Sequence, residues 1–152
     1  MCGTYLQVTS EELRELIEKP DRYWEYAEKA QGTERAADID KAWHALWYLT
    51  GKAGFEVDFV LGGTLLEEAD SDGPPRYFTA AEVQTVSAAL SKTGFDQLSS
   101  GVELAELDTN EIYPRLWDGP EALDYLRGNY EDLVTFFAGA AKADAPVITI
   151  IT

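Results

Sequence analysis

Along this chain, stretches with apolar residues three and four apart alternate with shorter runs rich in β-branched and aromatic residues, so both helices and strands are expected. Residues 4–8 read as a short opening strand. Thr9 and Glu12 then form a capping box, and Leu13, Leu16 and Ile17 give the helix behind it an apolar face that Pro20 closes. A second helix runs from Asp21 through Tyr23, Trp24, Ala27 and Ala30 to the break at Gln31-Gly32-Thr33. The third, over residues 38–51, is framed by Asp38 as N-cap and Gly51 as a left-handed C-cap. Its stripe of Ile39, Trp43, Leu46, Trp47 and Thr50 points both indoles into the core.

Downstream, Phe55, Val57, Phe59 and Leu61 alternate as in a strand buried on one face. Gly62-Gly63 is a tight turn from which residues 64–67 return as a hairpin partner. An acidic loop follows to Arg76, then a very short strand at Tyr77-Phe78. A second capping box, Thr79 with Glu82, opens a helix carrying Val83, Val86 and Leu90 as far as Gly94. Residues 95–107 hold one or two short helices broken at Ser99-Ser100-Gly101, and residues 111–118 form an ordered aromatic loop. Asp118 caps a helix ending at Gly128, and a further helix begins at Asn129. The apolar run 147–151 is a strand inside a sheet. These elements predict an α/β fold: a single domain over residues 1–152, with a small mixed β-sheet and helices packed around it. The alternative is α+β.

Charge narrows the partners. Twelve basic residues against twenty-eight acidic ones leave a net charge of −16, which opposes nucleic acid and anionic membranes and suits a basic protein partner. No apolar run reaches the length of a membrane span and the N-terminus lacks the pattern of a signal peptide, so a cytoplasmic location is expected. One cysteine makes no internal disulfide and fits a reducing compartment.

Several segments together resemble one family. They are Asp40 to His44 with the rest of its helix, the Gly62-Gly63 turn, residues 75–83, residues 112–117 and the C-terminal apolar strand. In this order they are similar to the YfbM-like family of small bacterial proteins, across nearly the whole chain. The resemblance implies one α/β domain with helices around a mixed sheet. The family is a domain of unknown function, so no catalytic residue is carried across. The Met1-Cys2-Gly3 start and Gly101-Val102-Glu103 depart from the usual pattern.

The chemistry-bearing residues are few. Loss of Met1 would leave Cys2 as an N-terminal nucleophile with its own amine as base, but three residues are a thin motif and no Asn-Gly pair suggests an oxyanion hole. Glu68, Asp70, Asp72 and Gly73 begin a calcium-loop pattern that fails at its twelfth position, Thr79, which leaves a solvated acidic turn. The single histidine, His44, has no second histidine for zinc, and its only local carboxylate is Asp40. No metal site and no cofactor is therefore expected. Arg76 and Tyr77 lie on one aromatic, charged segment; Glu111, Tyr113, Trp117 and Asp118 lie on another. With His44 and Asp40 these are the candidate ligand-binding residues. The expected function is a non-catalytic cytosolic binding protein of immunity or inhibitor type whose acidic surface meets a basic protein. The alternative is a small-molecule binder or small enzyme with a pocket around His44, Arg76, Glu111 and Tyr113. Oligomeric state is not readable from the residues.

Overall fold

A computed structural model describes residues 1–66, 73–115 and 117–152. One sheet organises them, with strand order β2-β1-β5-β4-β3 and every pairing antiparallel. At its centre β5 (Val147–Ile151) lies between β1 (Gly3–Gln7) and β4 (Arg76–Phe78), which is why its sequence is apolar at successive positions. The edges are β2 (Ala36–Asp38) and β3 (Thr64–Leu65). The chain adopts the expected α/β arrangement, a small sheet with helices packed around it, with a sheet that is antiparallel throughout the described residues where a mixed one was expected.

Alternation along the strands sends side chains to two cores. Tyr5, Phe78 and Val147 face the larger one, built with α3 (Trp43–Lys52), α4 (Ala80–Lys92), α5 (Phe95–Ser99), α6 (Leu104–Thr109) and α7 (Pro120–Lys142). Leu6, Ile148 and Ile150 face the smaller one, under α1 (Ser10–Glu18) and α2 (Tyr23–Ala30). Both capping boxes form as read: Thr9 and Thr79 each accept from the backbone N–H three residues on, and Glu12 and Glu82 accept from the cap. The short helices α5 and α6 flank residues 100–103, close to the expected break.

Several expectations need correction. Residues 55–61 are not a strand, although Phe59 and Val60 are buried. The Asp58 carboxylate accepts from the N–H groups of Val60 and Leu61, its carbonyl accepts from Gly62, and the Tyr5 hydroxyl donates to the Phe59 carbonyl. Those bonds turn the backbone at residues 58–62 away from the extended course a ladder needs. The Gly63 turn, at φ +88°, therefore delivers Thr64–Leu65 to β4 rather than to residues 55–61.

The helix over residues 38–51 is also assembled differently. Asp38 ends β2 and its carboxylate accepts from the N–H of Asp40, while Ile39, with no side-chain capping bond, stands at the N-cap of the 3-10 turn (Asp40–Ala42) that precedes α3. Gly51 lies within α3, and the positive φ after the helix belongs to Gly54. Trp43 is buried, but Trp47 is only half-buried and its indole donates to Asp58.

Finally, α7 runs unbroken through Gly128 and Asn129, and Gly119 stands at its N-cap with no capping bond from Asp118. Its buried stripe of Ala122, Leu126, Tyr130, Leu133, Phe137 and Ala140 outweighs the roughly 1 kcal/mol that one helical glycine costs. The calcium-loop residues Glu68, Asp70 and Asp72 lie outside the described residues, as do Glu67 of the expected hairpin strand and Leu116 of the aromatic loop.

Candidate functional site

The start of α3 brings four distant segments together. The rings of Trp43 and His44 stack at 4.9 Å and 11°, and Tyr113 lies 5.8 Å from Trp43 at 28°. His44 Nδ1 accepts from the Tyr113 backbone N–H at 2.9 Å, which clamps the loop onto the helix. Because that nitrogen is an acceptor, the neutral imidazole carries its proton on Nε2. Burial holds the His44 pKa below its ordinary value, so the neutral form prevails. The Met1 ammonium donates to the Tyr113 hydroxyl at 3.0 Å, and the Trp43 indole donates to the Met1 carbonyl at 3.2 Å.

Beside this stack sits Asp40, held in the left-handed region at φ +47°, which aspartate tolerates better than most residues. Its carboxylate accepts from the Tyr125 hydroxyl at 2.7 Å and from the Cys2 thiol at 3.4 Å. The Tyr125 and Cys2 bonds hold Asp40 below the usual carboxylate range, so it stays ionised. The same carboxylate, with some burial, pushes the Cys2 thiol up, and burial with that bond pushes the Tyr125 phenol up. Cys2 is thus a protonated donor, and not the thiolate that nucleophilic chemistry needs.

A cavity of about 310 Å³ opens next to Asp40. Its walls bring three carboxylates, Asp40, Asp118 and Glu121, around the aromatic rings of Trp117 and Tyr125, with Lys41 as the one basic side chain on the lining. Trp117 is buried, with its indole bonded to the Ile112 carbonyl, and its ring lies 6.4 Å from that of Tyr125.

The sequence candidates divide among several places. Asp40, Trp117 and Asp118 line this cavity, while His44 and Tyr113 form the adjoining stack. Arg76 opens onto a separate cavity of about 210 Å³ that it shares with Met1, Trp43 and Thr149. Tyr77 packs against the smaller core on the opposite face of the sheet, as the alternation of a strand requires. Glu111 is exposed and pairs with Arg115 at 3.0 Å. Three contributors escaped the sequence reading: Tyr125, Glu121 and the Met1 amine. Tyr125 is 85 residues from Asp40 and carries no local signal. Among the described residues, no three His, Cys, Asp or Glu side chains are placed to hold a metal ion, and no helix is long and apolar enough to cross a membrane.

Comparison with known proteins now places the chain. The family described as a domain of unknown function, DUF1877, matches residues 1–150. The chain belongs to the DUF1877 family. A crystal structure of YfbM from Escherichia coli, titled a protein of unknown function, superposes on this DUF1877 chain with a TM-score of 0.77 and 23% identity. All of each chain is covered, and at that identity the likeness is one of fold. The YfbM-like resemblance seen in the residues is thereby established. No curated protein matches the chain.

Proposed function

We propose that this DUF1877 protein is a non-catalytic binding protein of the bacterial cytoplasm, working as one domain over residues 1–152. Its acidic surface receives a basic protein, and the cavity beside Asp40 takes a lysine or arginine side chain of that partner. The observation that carries this reading is the cavity's composition: three carboxylates, one of them held ionised by two hydrogen bonds, around two aromatic rings. The carboxylates and the half-buried ring of Tyr125 both attract a cation. A net charge of −16 adds long-range steering toward a basic surface.

The small-molecule or enzymatic alternative around His44, Arg76, Glu111 and Tyr113 draws less support. The His44 nitrogen able to accept a proton is already bonded to Tyr113, and Glu111 spends its charge on Arg115. A general base needs a free acceptor within reach of the substrate.

Calorimetric titration with octalysine tests the proposal. Wild type binds, and Asp118→Asn/Glu121→Gln binds about tenfold more weakly, a difference of about 1.4 kcal/mol. Both side chains are exposed, so the double variant keeps its fold. Equal affinity of the two proteins would remove the cavity from the binding surface.

A further inference from the structure

Among the described residues the sheet ends on one side at β2, where no further strand pairs with the backbone. Gln7 N–H donates to the Arg35 carbonyl at 2.7 Å and Ile39 N–H to the Gly3 carbonyl at 2.9 Å, while Tyr5 stands opposite Ala37. Bonded pairs alternate in an antiparallel ladder, so Ala37 shares its peptide groups with Tyr5, and Ala36 and Asp38 direct theirs away from β1. The Ala36 N–H turns back to Thr33 at 3.3 Å. The Asp38 N–H and the carbonyls of both residues face outward.

A groove flanks this edge on each face of the sheet. On the α2 side a cavity of about 510 Å³ is mainly apolar and aromatic, with Leu6 and Ala27 on its lining and Trp24 58% exposed at its wall, although Glu28 and Asp38 also line it. On the α7 side a cavity of about 700 Å³ carries Glu34 and Asp132. The one basic residue on that side, Arg35, is already bonded to the Gln7 carbonyl and to Glu12. Side chains of a strand laid along β2 would enter the two grooves alternately. The residues opposite Ala36 and Asp38 would enter the apolar groove, and those opposite Ala37 the acidic one.

We propose that β2 is a docking edge for an extended segment of a basic partner protein, added antiparallel, with apolar residues alternating with lysine or arginine. Charge selects this occupant: the acidic groove calls for cations, and a second copy of this chain would bring another sixteen negative charges to the edge. A large exposed indole is the kind of side chain that dominates binding energy at protein interfaces. The proposal rests on the basic-partner reading above and adds where on the molecule, and in what conformation, such a partner binds.

The probe is fluorescent acetyl-(Val-Lys)4-amide, titrated by anisotropy beside octalysine. In the antiparallel register the valine N–H groups bond to β2 and the lysine N–H groups point away. N-methylation of the valines therefore weakens binding by about tenfold or more, whereas N-methylation of the lysines changes it by less than about twofold. Trp24→Ala, at an exposed site that leaves the fold intact, weakens the unmodified probe by about tenfold and leaves octalysine unchanged. Equal binding of the two methylated probes, or full affinity in Trp24→Ala, overturns strand docking. If octalysine still binds in that case, the basic-partner reading stands alone; if neither peptide binds wild type, both fall.

Discussion

Protonating His44 would cost the fold a hydrogen bond, because the nitrogen that would take the proton is the acceptor for Tyr113 N–H. The folded imidazole binds a proton less readily than its ordinary pKa of 6.5 implies, since burial opposes the charge. Above that value neither state is charged and His44 adds no pH dependence. As pH falls below it the unfolded chain takes the proton first, so stability drops until the lowered folded pKa is passed. Asparagine can present its side-chain oxygen near the position of Nδ1 without titrating. The melting temperature of His44→Asn should therefore fall less between about pH 7.5 and about pH 5.5 than that of wild type. Identical slopes in a thermal melt series would show that His44 is not coupled to the fold in this way. The position of His44 at the edge of a helical stripe was readable from spacing. Its acceptor role was not, because the partner is a backbone N–H 69 residues away.

Helices and turns were legible where their determinants are local. Both capping boxes lie within four residues and formed as read, and each hydroxyl cap contributes on the order of 1 kcal/mol. Residues 55–61 depart from the expected strand because alternation reports burial but not bonding. Asp58, which the pattern counts as one polar position, takes up the N–H groups that a ladder would need. In α7 the glycine at 128 has the residue type of a stop, yet no heavy atom beyond its own chain neighbours and the adjoining helix backbone lies within 4 Å of where its Cβ would stand. Gly128→Ala should accordingly raise the unfolding free energy by about 0.5–1 kcal/mol, while Thr79→Ala should lower it by about 1 kcal/mol. Urea melts measure both. Destabilisation by Gly128→Ala would mean that the helix is bent or broken there.

For the molecule as a whole, composition supplied the charge and pattern supplied the layers, but the cavity beside Asp40 is made by folding. It unites Asp40 and Lys41 from before α3, Trp117 and Asp118 from the aromatic loop, and Glu121 and Tyr125 from α7. Asp40, Trp117 and Asp118 are candidates by residue type; they meet Glu121 and Tyr125 through the first turns of α7, which bury Ala122 and Leu126. The division of Arg76 from Tyr77 likewise follows from strand alternation, which sends neighbours in sequence to opposite faces.

In the proposed function, the Asp40 cavity and its acidic surroundings bind cations of a basic partner. The most direct measurement is the affinity of octalysine for wild type and for Asp118→Asn/Glu121→Gln across ionic strengths from about 0.02 to about 0.3 M. Binding should weaken steeply with salt, with a shallower dependence in the double variant because two of the charges involved are gone. Binding that does not change with salt, or slopes that coincide in the two proteins, would contradict it.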